Sequence, residues 1–141
     1  GSFSALPAIP PATILAGTIL YARWRETGTT QWHPWPMSVP AYTKVDVLWR
    51  IRNNSNGRAT FAVSTGTPER FFTIHSDTVA TLDPGGEADL VHEGYRGEKA
   101  GTSGTQTWDL IALAGEVTSS YVLDWLEAVF VDSVTLHYSW Y

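Results

Sequence analysis

YTKVDVLWRIRN, residues 42–53, alternates with a period of two. Val45, Val47, Trp49 and Ile51 share one parity, while Lys44, Asp46, Arg50 and Arg52 share the other. That is the signature of a β-strand with one face buried. NNSNG, residues 53–57, follows it and reads as a turn, because these residues tolerate positive φ or bond their own backbone.

Further strands follow downstream. ATFAVST (59–65), RFFTIHS (70–76), TVATL (78–82), EADLVHEG (87–94) and TWDLIALAG (107–115) all read as strands. DPGG (83–86) is a turn, with Pro84 presetting φ and glycine supplying positive φ. RGEKAGTSGTQ (96–106) is expected to be a mobile polar loop. EVTSSYVLDWLEA (116–128) reads as strand plus turn, although Val122, Leu123, Trp125 and Leu126 also suit a short helix. In AVFVDSVTLHYSWY (128–141), Ala128, Phe130, Val134, Leu136, Tyr138 and Trp140 share parity, and Asp132, interrupting the apolar side, predicts a bulge or kink there. Upstream, TILAGTILYARWRE (13–26) reads as the first strand. No stretch holds a helical period. The expectation is an all-β protein, a single antiparallel β-sandwich of about 8–9 strands, either immunoglobulin-like or a jelly roll.

The run VDVLWRIRNNSN, ATFAV, LDPGGEADLV and TWDLIALAG resembles the immunoglobulin-like modules of bacterial and archaeal surface proteins, in particular the CARDB type. The resemblance spans residues 43–115. It rests on a strand that ends in an Asn-rich turn, Asn53 and Asn54, and on a Leu82–Gly86 turn before a strand that crosses the sandwich. It implies a β-sandwich at a cell surface.

Gly1 and Ser2 read as a scar of tag cleavage, residues 3–12 as an extended arm, and residues 13–141 as the sandwich domain. The arm carries Pro7, Pro10 and Pro11, which fix φ and remove amide donors. Phe3, Leu6 and Ile9 recur every third residue and would share one edge of a polyproline-like arm.

The 141-residue chain is 43% hydrophobic, 13% aromatic and only 16% charged. The charged share falls below the usual ~25%, which fits a β-rich chain and suggests that neighbouring subunits cover part of the aromatic area. With a net charge of −5 and its few clustered cations limited to Arg23, Arg25, Arg50 and Arg52, the chain lacks the basic stripe that nucleic acid requires. The apolar runs are too short and too charged for membrane insertion. There is no cysteine, which excludes thiolate metal sites and thiol catalysis.

No catalytic constellation emerges. Ser55, Ser103 and Ser119 lie outside any nucleophile motif. His33, His75, His92 and His137 fall on separate segments, with His75 and Asp77 the one alternately spaced pair. Paired carboxylates cannot be assigned from sequence, and no glycine-rich phosphate loop opens a helix. Asn53-Asn54-Ser55 matches a short glycosylation sequon. The expectation is a non-enzyme without cofactors.

The aromatics carry the rest of the reading. Trp49 and Trp108 sit in patterned strands and are expected in the core. In QWHPWPM (31–37) the prolines hold His33 and Trp35 extended, so Trp32 and Trp35 would point to opposite sides, one anchoring and one facing out. That stretch could plug the core, meet a subunit or stack on sugar. Trp32, His33, Trp35 and Tyr42 are the candidate binding residues, and Phe3, Leu6, Ile9, Trp140 and Tyr141 the candidate interface. A terminal strand ending Trp140-Tyr141 is expected to be central in its sheet or covered by another subunit. The favoured function is a structural or interaction module of an extracellular assembly, such as a virion decoration, a tail or fibre component, or a cell-surface appendage. Its partners would be other protein subunits in a homo-oligomer. The alternative is a carbohydrate-binding module; a small jelly-roll hydrolase using His75 and Asp77 is a distant third.

Overall fold

The computed structural model describes residues 12–64, 79–116 and 128–141. Those residues are all-β, with nine strands. They are β1 (Gly17–Glu26), β2 (His33–Pro34), β3 (Met37–Val39), β4 (Val45–Asn53), β5 (Ala59–Ser64), β6 (Ala80–Leu82), β7 (Glu87–Tyr95), β8 (Thr102–Ala114) and β9 (Val129–Trp140). They form two sheets, β2-β1-β4-β7 and β3-β9-β8-β5-β6, and the second curls into a half-barrel. The segments RFFTIHS and most of EVTSSYVLDWLEA lie outside the described residues, as do His75, Asp77 and the arm residues Phe3, Leu6 and Ile9.

The period-two reading of β4 holds. Val45, Val47, Trp49 and Ile51 are wholly buried and meet Trp108, Leu110 and Ala112 of β8 in one core between the sheets. On the outer face of the first sheet, Arg50 pairs with Glu87 and Asp89, and Arg52 with Glu87. β5 departs from simple alternation because all six of its residues are buried. Its outward Ala62 joins Ile111 in a second small cluster with Val79, Leu113 and Ala128.

The arrangement is not purely antiparallel, because β3 runs parallel to β9, with Met37 opposite Tyr138 and Val39 opposite Trp140. The cause is a double reversal. β2 turns back along the outer edge of β1, and the chain then turns again at Trp35–Pro36, whose peptide is cis, so β3 regains the direction of β1 on the other sheet. The 96–106 loop is also shorter than expected. Thr102–Gln106 extend β8, opposite Leu136–Trp140 of β9. Gly104 and the polar side chains around it weaken the strand signal, although Thr102 and Thr105 suit a strand, and a full-length partner supplies the ladder.

The turns at 53–57 and 83–86 clasp each other. Asn53 donates its side-chain amide to Gly57 O and Leu82 O and accepts from Ser55 N, while Asn53 N donates to Gly86 O and Gly85 N to Asn53 O. The sequon asparagine is therefore buried and fully engaged as a turn former, with no free amide for a glycan.

The bulge at Asp132 is present. The β8–β9 register shifts between Leu110 and Ile111, which face Asp132 and Phe130. Skipping Val131 switches the inward parity, so Val131 packs on the core and Phe130 points out, contrary to the alternation that placed Phe130 inside. Asp132 then ties the sheets together: Oδ2 accepts from Ile19 N at 2.7 Å and Oδ1 from Ser133 N at 2.9 Å. Both oxygens are used, so Asp132→Asn leaves one amide facing an NH2 group. Urea unfolding is expected to show a loss of about 1.5–3 kcal/mol.

Candidate interaction surface

The stretch 31–37 separates its rings much as its prolines imply. Trp35 packs inward on Trp108 (centroids 5.9 Å apart), which packs on Trp49 (5.8 Å), which meets His92 edge-on (4.8 Å). His92 Nδ1 and the Tyr95 hydroxyl lie 3.0 Å apart. Burial pushes the Tyr95 phenol well above its ordinary pKa, an effect that the neighbouring Trp108 indole only partly offsets. Trp32 stays outside, with the Arg25 guanidinium 4.2 Å above its ring. His33 stacks on Trp24 at 4.6 Å, and Trp24 Nε1 donates to Pro34 O. The candidate binding residues therefore do not form one platform: Trp35 belongs to the core, Trp32 and His33 cover the β1–β2 edge, and Tyr42 stands elsewhere.

Tyr42 is 73% exposed, at φ +64°. This left-handed backbone is costly for a bulky side chain. Two features hold it: Tyr42 N donates to Glu98 O at 2.6 Å, and Gly97 lies so close that an added Cβ would collide with the Tyr42 backbone. Tyr42→Asn, which suits that backbone, is expected to raise stability by about 1 kcal/mol in urea unfolding while removing the ring. Beside it, Ala41 N donates to Tyr141 O, and Tyr141 is 65% exposed. Trp140, by contrast, is wholly buried, with Nε1 donating to Thr43 O at 3.0 Å. It is a core residue, so of the terminal pair only Tyr141 presents a ring at the surface.

The basic cluster is largely neutralised within the domain. Arg25 Nε donates to Asp46 Oδ2 at 2.8 Å, Arg25 also reaches Glu93, and Arg50 and Arg52 meet Glu87. Arg23 lies over the Tyr21 ring. Asp46, buried, also accepts from Thr27 Oγ1 and from Gly94 N. Gly94 sits at φ +75° in the β7 bulge opposite Asp46, which brings this amide to the carboxylate. Among the described residues, no group of three or more His, Cys, Asp or Glu is placed to hold a metal ion.

Alternation did not reveal the large apolar side chains left in water on β1 and β9. Leu20, Tyr21, Val129 and Phe130 are all exposed, Phe130 to 65%, on the two strands that the Ile19–Asp132 bond ties together. Leu20 is thrown out by a β1 bulge between Ile19 and Tyr21, and Phe130 by the β9 bulge. Farther along β9, Trp35, Pro36, Thr135, Leu136 and His137 line an apolar concavity of about 520 Å³. The Asp132 anomaly was the one sequence signal for this surface.

No family model, no curated protein and no solved structure matches this chain. The functional reading therefore rests on the residues themselves.

Proposed function

We propose that this chain is a non-enzymatic structural or interaction module of an extracellular assembly. A virion decoration, a tail or fibre component, or a cell-surface appendage each fits, built from copies of the chain without a cofactor. The observation that supports this reading is the set of large apolar side chains left in water on β1 and β9: Leu20, Tyr21, Val129 and above all Phe130, on the two strands tied by the Ile19–Asp132 bond. Exposed apolar area of this kind suits a surface that a partner covers. An immunoglobulin-like sandwich is the supporting architecture. The orders β1-β4-β7 and β9-β8-β5 follow the A-B-E and G-F-C neighbours of that fold, and surface modules of the CARDB type are built this way. Sedimentation over a concentration series tests the reading. Self-association that weakens in Phe130→Ser is the expected result, and a strict monomer at high concentration overturns it.

A second reading, carbohydrate binding, is favoured by Tyr42, whose exposed side chain follows directly on the Ala41 N to Tyr141 O bond at the end of β9, with Tyr141 exposed as well. Aromatic faces pack on the apolar faces of sugars. Glycan-array binding that disappears in Tyr42→Ala would replace the first reading, and no binding to any glycan would end the second.

A further inference from the structure

Resting on the assembly reading above, the geometry points to a receiving slot on β9 for an extended segment of a second copy. The slot follows from strand parity. Tyr141 N donates to Val39 O and Ala41 N to Tyr141 O, so residue 141 directs its backbone toward β3; Gly101 N donates to Trp140 O, so residue 140 directs its own toward β8. Lateral direction alternates along a strand. The N–H and C=O of Thr135 and the N–H of His137 therefore point to the β3 side. β3 pairs only with Tyr138–Trp140. The next neighbour along that side is Ile19, which bonds the Asp132 carboxylate rather than a β9 backbone group. Between Met37 and Ile19, β9 thus has an edge without a described strand partner. It opens beside the concavity of Trp35, Pro36 and Leu136, where Trp35 Nε1 is buried with no hydrogen-bond partner.

Residues 3–9, FSALPAI, have the chemistry for this slot. Read as a strand, Phe3, Ala5, Pro7 and Ile9 share one apolar face for the concavity. Ser4, Leu6 and Ala8 all keep their N–H groups and direct them to the opposite lateral edge from Pro7. The missing donor of Pro7 then faces away from β9, as an edge strand requires. The gap spans roughly five residues, or about 17 Å. The donor is a second copy because the root of the arm is pinned at the 53–57 turn, with Ile14 N on Asn56 Oδ1 and Ala16 N on Ser55 Oγ. Pro10-Pro11 then disfavours the tight reversal that would bring the segment back onto its own domain. The exchange is strand addition between identical chains.

The chain has no cysteine, so paired substitutions give a clean test on the full chain. Ser4→Cys or Ala8→Cys is combined with His137→Cys, since these side chains would lie on the same outer face, and the protein is oxidised mildly at assembly concentration. Interchain disulfide ladders that need both cysteines are the expected result. They should disappear on adding Thr135→Pro, which removes an edge N–H that β8 does not use, while near-ultraviolet circular dichroism is retained. A compact intrachain-linked monomer overturns the second copy as donor. Oligomers that persist without crosslinking, unaffected by Thr135→Pro, overturn the slot and leave the assembly reading standing. A chain that sediments as a monomer throughout overturns the assembly reading itself.

Discussion

Trp108→Ala is expected to remove about 3–5 kcal/mol of folding free energy, a large share of the 5–15 kcal/mol typical of a domain. The indole is wholly buried and occupies the middle of the aromatic chain, between Trp35 of the sheet-switching segment and Trp49 of β4. Truncation opens a cavity between the sheets that flanking rings cannot fill without leaving their rotamers. Urea denaturation followed by tryptophan fluorescence reads the loss. A change under 1 kcal/mol would mean that Trp108 is not the keystone between the sheets. Trp108→Phe keeps much of the packing but not the N–H, so it should cost distinctly less.

Asp46→Asn is expected to cost about 2–3 kcal/mol and to flatten the acid limb of the stability profile. Burial alone would raise the Asp46 pKa, but donation from Arg25, Thr27 and Gly94, with the nearby Arg25 charge, outweighs it and holds the carboxyl below its usual value. A carboxylate whose folded pKa lies below the unfolded value of about 3.9 stabilises the fold above that pH. This contribution is lost as pH falls through the depressed folded value. The variant removes a charge-assisted acceptor from three donors, which sets the magnitude. It falls short of the 3–5 kcal/mol for a fully buried broken pair because Arg25 is part-exposed and retains Glu93. Stability measured between neutral pH and pH 3 should fall less steeply in Asp46→Asn than in the parent chain. Parallel profiles would show that Asp46 does not govern acid unfolding.

Legibility followed the range of the interaction. The inward set of β4, the core roles of Trp49 and Trp108, the turns at 53–57 and 83–86, and a bulge at Asp132 all depend on a few consecutive residues, and the structure bears them out. The misses concern partners far along the chain. Thr102–Gln106 has the composition of a loop and becomes strand because β9 lies alongside it. β3 became parallel to β9 through a double reversal around Pro34–Pro36 that no alternation count reveals. Among the binding candidates, proline spacing correctly sent Trp32 and Trp35 to opposite sides, but it could not say that Arg25 would cover one ring and Trp108 the other.

Composition and period two, by themselves, determined that this protein is all-β and which side chains of its clearest strands turn inward. The steric alternation of a pleated chain is local and needs no partner. Tertiary structure alone decided which rings remained in water and where the Asp46 and Asp132 carboxylates found their donors. Ile19 and Asp132 are 113 positions apart, and their bond exists only because folding brings the start of β1 against the bulge of β9. A contact between distant residues leaves no periodic trace in either segment, so this tie could be read only after the sheets had closed.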